Sequence, residues 1–212
     1  MKEEVLYQEK YGEIPFDENG RYLYLTKNIR NIDRLEKEAN RRIKEIELIE
    51  WDKYEYTIYL VPKATPRPRY TRKGKFMYVK GAADNKKYFR KMLANTEWNI
   101  ITTPCIFYCK CYFPIPSAMS NVDKVLAEKG YLHNISMPDF DNLAKTYTDM
   151  LKDTLLYDDR LIYKGVSEKA YSVKPRIEVS IHFMKKHDSD YNRKKIERTI
   201  KQVQKAKKEG CK

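Results

Sequence analysis

No stretch of this chain approaches the roughly eighteen consecutive apolar residues that a membrane-spanning helix needs. The N-terminus, MKEEVLYQEKYGEIPF, mixes acids with bases and has no apolar core, so it does not read as a secretory signal. These two absences predict a soluble cytoplasmic protein with no membrane partner. Cysteine is also sparse, with 4 in 212 residues. Three of them fall in PCIFYCKCYF, without the Cys-x-x-Cys knuckle and second ligand pair of a zinc site. A disulfide framework does not suit a chain of this size and compartment. Strand spacing instead puts Cys105, Phe107, Cys109, Cys111 and Phe113 on one face, as apolar side chains of a buried strand. There is no internal repeat and no low-complexity segment.

Acid is the other shortage. The chain has 30 Asp+Glu against 43 Lys+Arg, a formal net charge of +13. Such a surplus points to a polyanionic partner. Its distribution narrows the choice. Residues 63–91, KATPRPRYTRKGKFMYVKGAADNKKYFRK, hold eleven Lys/Arg and one acid, Asp84, with Tyr70, Phe76, Tyr78, Tyr88 and Phe89 interleaved. Cations reach phosphates and aromatic faces stack on bases. Pro62, Pro66, Pro68, Gly74 and Gly81 make much of the segment a loop rather than the amphipathic helix that a membrane surface favours. Nucleic acid is the expected partner, with Lys63, Arg67, Arg69, Arg72, Lys73 and Lys75 as the candidate contacts.

Three regions follow. Residues 1–50 form an N-terminal extension, in which Ile32, Leu35, Ala39, Ile43 and Ile46 predict an amphipathic helix over about 30–48, capped by Asn31 or Asp33. Residues 51–184 form the folded core. In it, strands are expected at WDKYEYTIYLVP, where Tyr54, Tyr56, Ile58 and Leu60 alternate, and at TPCIFYCKCYFPIP. Two more are expected at RLIYKGVSEKAYS and RIEVSIHF. A helix is expected around 83–96, and a polar, irregular stretch through SAMSNVDKVLAEKGYLHNIS. Residues 185–212 form a basic tail with eleven Lys/Arg against four acids, where Ile196, Ile200 and Val203 allow a short helix.

Against that basic background stands MPDFDNLAKTYTDMLKDTLLYDDR, residues 137–160. Asp139 and Asp141 are two apart, so in extended chain both side chains point the same way. Leu143, Tyr147, Met150, Leu151 and Thr154 then mark one face of a helix, with Asp141 as its natural N-cap. Lys145 lies one turn on from Asp141. The helix should end before Asp158 and Asp159, which open the next strand. A strand–helix–strand excursion can return that strand beside the first and set Asp159 near Asp139 and Asp141. Three bare carboxylates would repel by roughly 4 kcal/mol per pair at about 4 Å and an effective dielectric near 20. A divalent cation reverses that sign, and hard oxygen donors suit Mg²⁺, or Mn²⁺ in its place. Asp139, Asp141 and Asp159 are therefore the candidate metal ligands, with substrate phosphates completing the shell and Lys145 beside the reacting phosphate. The same residues also allow a plainer reading: Asp-x-Asp-Asn as a helix cap and Asp-Asp as a turn.

In order along the chain, TPRPRY (65–70), FPIP (113–116), GYLHNISMPDFDNLAK and LLYDDRLI resemble the RusA family of Holliday junction resolvases over roughly residues 55–184. The resemblance implies an α+β fold, a small mixed sheet with flanking helices, to which this chain adds the N-terminal helical extension and the basic C-terminal tail. It implies a homodimer that nicks four-way DNA junctions symmetrically with Mg²⁺. It assigns the metal to Asp139, Asp141 and Asp159 and catalysis to these and Lys145, while His133 matches a family position. Met137 departs from the pattern, since a basic residue often precedes that proline. The alternatives are another structure-specific DNA nuclease and a non-catalytic DNA-binding protein. A restriction-type site is disfavoured because Glu168 is followed directly by Lys169.

Overall fold

The computed structural model describes residues 32–65, 69–70, 76–77, 91, 98–152 and 154–209. The chain divides into two compact units, Met1–Leu48 and Ile49–Lys212. In the first, helix α1 (Ile32–Glu47) matches the expected amphipathic helix. Its polar side is laced by Arg41, which pairs with both Glu38 and Glu45. The proposed caps Asn31 and Asp33 lie outside the residues whose side chains are described.

The second unit is built on four strands in the order β1-β6-β4-β5. They are β1 (Trp51–Ile58), β4 (Cys105–Pro114), β5 (Ile162–Ser172) and β6 (Arg176–Met184). A two-stranded ribbon, β2 (Arg69–Tyr70) with β3 (Phe76–Met77), lies between β1 and β4 in sequence. Three helices accompany the sheet: α2 (Asn121–Glu128), α3 (Phe140–Leu151) and α4 (Asp190–Glu209). This is the expected α+β fold with a mixed sheet. β6 runs antiparallel to both neighbours, pairing Ile58 with Ile177 on one side and Cys111 with Ile177 on the other. β4 and β5 run parallel, with Cys105 opposite Ile162 and Pro114 opposite Ser172. A parallel pair needs a crossover too long for a hairpin, and α2 and α3 lie in that connection. The helix expected around 83–96 lies outside the described residues except for Lys91.

The strand face read from the cysteine run is buried as expected. Cys105, Phe107, Cys109, Cys111 and Phe113 pack with Ile177, Val179 and Ile181 of β6 and with Leu143, Tyr147, Met150 and Leu151 of α3. Each fully buried side chain of this size contributes about 1.5–3 kcal/mol. Burial pushes the Cys105 thiol up to about 12, so it stays protonated and unreactive. Cys109 and Cys111 sit with their sulfurs 3.7 Å apart, and that contact, together with burial, pushes the Cys109 thiol up as well.

The polar stretch expected to be irregular contains a well-built helix. Ser120 caps α2 by accepting a hydrogen bond from the Asp123 N–H at 3.1 Å. At the other end Gly130 takes a φ of 80°, where glycine has no Cβ penalty. Its N–H donates to Ala127 O, and that of Tyr131 to Leu126 O, closing a Schellman motif. Only Ala127 of this helix is fully buried. That thin apolar stripe is why hydrophobic periodicity does not reveal the helix.

Candidate active site

Helix α3 carries the acidic motif. Pro138 disfavours helical backbone before it, and the chain enters through Asp139, extended at φ −62° and ψ 148°. Asp139 is therefore the N-cap residue, two residues earlier than the expected Asp141, which lies in the first turn. Its carbonyl accepts the Leu143 N–H at 3.2 Å. Its carboxylate makes no capping bond. Among the described residues it makes no other hydrogen bond or ion pair either, so an exposed acid stands uncommitted at the positive end of a helix dipole. The approach to this point is held from β5: the Lys169 ammonium donates to the carbonyls of Ser136 at 2.6 Å and Pro138 at 3.2 Å. Asn134 is buried and accepts the Ser136 N–H, fixing the turn that precedes the motif. His133 is exposed in this loop.

The basic segment begins directly against the acidic helix. The Thr65 N–H donates to the Thr146 hydroxyl at 2.7 Å, and the Asn142 amide donates to Thr65 O at 3.1 Å. The buried Tyr147 hydroxyl accepts from the Lys63 N–H at 3.2 Å and donates to Lys63 O at 3.4 Å. Burial also pushes the Tyr147 hydroxyl well above its ordinary range, keeping it a neutral donor and acceptor. Four bonds from three residues of α3 thus pin residues 63–65 to the helix, immediately before the Pro-Arg-Pro-Arg run. Lys63 and Lys145 are both exposed. Arg69 lies in β2, opposite Met77; Arg67, Arg72, Lys73 and Lys75 lie outside the described residues.

Asp158 and Asp159 sit elsewhere. The strand does return parallel to β4 as expected, but the Asp-Asp pair caps a single 3₁₀ turn (Asp159–Leu161) at its entry. There the Asp159 carboxylate is 3.7 Å from the ammonium of Lys152, the residue that closes the C-terminal end of α3. Asp139 and Asp141 open the other end, and twelve helical residues span about 18 Å. Among the described residues, no group of three His, Cys, Asp or Glu side chains is arranged to hold a metal ion. The expectation that Asp159 joins Asp139 and Asp141 is not met within one chain. The physical reason is the direction of the crossover: its helix runs back along the sheet, so its start and the next strand's start lie at opposite ends.

Asp158 is the more buried acid of its pair and the more constrained. It accepts two bonds from the Arg160 guanidinium, at 2.8 and 3.0 Å, and one from the Arg160 N–H at 2.9 Å. The Arg160 bonds hold its carboxyl down to about 2. This acid is a structural clamp on the entry to β5.

The donor chemistry at the start of α3 still fits a hard divalent cation. Mg²⁺ is commonly held by one or two carboxylates, with waters and substrate phosphates in the other positions. Asp139 and Asp141 supply two such carboxylates beside residues 63–65, where the basic segment begins.

Helix α3 thus holds the start of the basic segment directly beside an exposed pair of acids, an arrangement suited to the class of proteins that act on nucleic acid. Residues 60–182 match the family model described as Endodeoxyribonuclease RusA, and the chain belongs to that family. It is also similar to the uncharacterized protein YqaN of Bacillus subtilis (strain 168), with 34% identity over 137 residues, 61% of this chain and 96% of that protein.

Sequence reasoning did not find Thr146, Tyr147 or Lys169 as parts of this site. Tyr147 carries the core signal, and its hydroxyl is the only hint that a buried aromatic also anchors a loop. Lys169 gives no signal, because strand alternation cannot say which carbonyl a lysine will reach.

Proposed function

We propose that this chain is a structure-specific endonuclease that nicks four-way DNA junctions symmetrically as a homodimer, hydrolysing phosphodiester bonds with Mg²⁺, or Mn²⁺ in its place. The observation that carries this reading is the anchoring of the basic segment on the acidic helix through Thr65 and Lys63. A phosphate backbone drawn to Lys63, Arg67, Arg69, Arg72, Lys73 and Lys75 arrives beside Asp139 and Asp141. A passive DNA-binding protein gains nothing from two exposed carboxylates there, since they repel phosphates.

In this reading Asp139 and Asp141 hold the ion. When bound, it supplies charge neutralisation and a more acidic water. Lys145, one turn along the same helix, is assigned to the charge that builds on the scissile phosphate. Thr146, Tyr147 and Asn142 keep the basic segment in register with these groups. Asp159 enters only as the family resemblance gives it, as a third carboxylate, because one chain sets it at the far end of α3. A two-fold dimer would present two equivalent sites to a junction that is itself nearly two-fold symmetric.

The test is a two-strand nick map on a synthetic four-way junction, with a linear duplex of the same sequence as control. Binding in EDTA, followed by paired nicks on opposing strands only after Mg²⁺ is added, is the expected result. Binding without nicks under Mg²⁺ or Mn²⁺ would leave the passive DNA-binding reading in its place. Asp159→Asn that cleaves as well as wild type removes Asp159 from the site. Replacing Arg67 and Arg69 by alanine should weaken junction binding and flatten its salt dependence by about 0.9 per lost phosphate contact.

A further inference from the structure

Helix α4 lies outside the stretch that matches the family, yet it is docked rather than frayed. Ile196 is buried in the core, Ile200 is half-buried against it, and the Tyr157 hydroxyl reaches Thr199 O at 3.5 Å. That docking turns a second face of the helix, with Tyr191, Lys194, Lys195 and Arg198 at helical spacing, toward Arg160 beside the entry to β5. Together they line a groove of about 370 Å³.

The charge on the α4 side of this groove is uncommitted among the described residues. Arg193, on the same helix, is satisfied by Asp190 at 3.0 Å and Glu197 at 2.9 Å. By contrast, none of Lys194, Lys195 and Arg198 is ion-paired among the described residues. The nearby acids are already engaged, Asp158 by Arg160 and Asp159 by Lys152. Tyr191 is exposed, with the Lys195 ammonium 5.8 Å from its ring centroid. Cations held this close repel one another, so the arrangement gains from an anion in the groove. Ile196 and Ile200, apolar residues of the helix whose side chains are described, face the core rather than offering themselves to a lipid surface.

We propose that this groove is a second contact for the DNA phosphodiester backbone, in which Lys194, Lys195 and Arg198 bind phosphates and the exposed Tyr191 ring packs against sugar or base. It is separate from the anchorage of residues 63–65, because it lies by the C-terminal end of α3, where Asp159 meets Lys152. The proposal rests on the reading of the chain as a DNA-processing enzyme and adds a contact that the family match does not include.

The test compares the full-length wild type with a Lys194→Ala, Lys195→Ala, Arg198→Ala triple variant. Binding to a labelled four-way junction is measured in EDTA across a KCl series. Two or three lost phosphate contacts should reduce the slope of log affinity against log salt by about 1.8–2.7, with affinity falling about tenfold or more at low salt. Arg193→Ala, which removes a single positive charge from the same helix, should leave both unchanged. All four side chains are exposed or half-buried, and circular dichroism confirms that the variants fold. An unchanged slope and affinity in the triple variant overturns the groove while leaving the junction-nicking reading intact. A loss in Arg193→Ala equal to the per-charge loss of the triple variant also overturns it, as a bulk charge effect. Phosphatidylglycerol vesicles that retain wild type but not the triple variant, with DNA affinity unmoved, reassign the groove to lipid and overturn it too. A wild type that nicks no junction, with DNA affinity still lost in the triple variant, sinks the nuclease reading and keeps the groove.

Discussion

Helix α3 has acid at both ends, and the two ends are built on opposite terms. At its start, Asp139 is exposed, its carboxylate accepts no capping hydrogen bond, and it has no cation of its own among the described residues. At its end, Asp158 is buried in a bidentate grip by Arg160, and Asp159 has Lys152. The surroundings differ in the same sense. The start is ringed by backbone anchors, Lys169 on the Ser136 and Pro138 carbonyls and Thr146 on Thr65, which fix the chain without neutralising Asp139. A cluster whose charges are already satisfied stabilises the fold. An acid held in a fixed backbone but left without a cation among the described residues, as Asp139 is, stands poised for something that arrives from outside. The sequence writes both as aspartate pairs, and only their partners tell them apart.

Changing Asp141 gives the largest effect. Asp141→Asn keeps the shape of the helix start and removes one of the two exposed carboxylates. Junction binding should hold or tighten, because repulsion of phosphates falls, while nicking drops by about a thousandfold, roughly 4 kcal/mol of barrier. Single-turnover cleavage at saturating protein, alongside binding in EDTA, separates the two. Parallel loss of binding and cleavage would make the start of α3 a docking surface and erase its contrast with the other end.

Much of this contrast was within reach of the sequence, and the missing part has a definite cause. The strand with the cysteine run, the two strands around Val173–Pro175 and the helix after Pro138 follow from alternation and helical spacing, which report burial directly. The juxtaposition of the basic segment with the acidic helix was sensed from composition but had no address, because Tyr147 and Thr146 look like ordinary core positions. Helix α2 was hidden by its thin apolar stripe, although Ser120, Asp123 and Gly130 spelled out both of its ends. The position of Asp159 beside Lys152 is hidden from the sequence for a different reason. Sequence spacing indicates that a strand returns beside its predecessor, but the end at which its first residues sit depends on the path of the crossover. That path is a three-dimensional property.

The second effect belongs to the clamped end. Asp158 has its carboxyl depressed to about 2 from an ordinary 3.8, chiefly by the Arg160 hydrogen bonds. A carboxylate depressed by folding lends stability that is full above its unfolded value, near pH 4, and lost as pH falls toward 2. The guanidinium is largely exposed, so solvent screening reduces the contribution to about 1–2 kcal/mol. Asp158→Asn should therefore lower Tm by about 2–8 °C at pH 7. The gap between wild type and variant should close in melts taken from pH 4 down to pH 2. A gap that stays constant with pH would show that Asp158 acts through packing or its backbone bond rather than through charge.

Lys152→Ala gives the smallest effect and bears most directly on the division between the ends. The pair it forms with Asp159 is long, at 3.7 Å, and both side chains are more than a third exposed. Such pairs contribute little, so the variant should lose about 0.5 kcal/mol or less, a Tm change within about 2 °C. If the end of α3 is purely structural, junction cleavage should be equally indifferent. The informative outcome would be a mismatch. A cleavage rate that moves tenfold while Tm holds would show that releasing Asp159 from its ammonium changes the chemistry. The third carboxylate of the family pattern would then act at the site despite its place at the far end of the helix. Cleavage and melting that both stay near wild type confine the reacting acids to Asp139 and Asp141, and leave the other pair to hold the entry of β5.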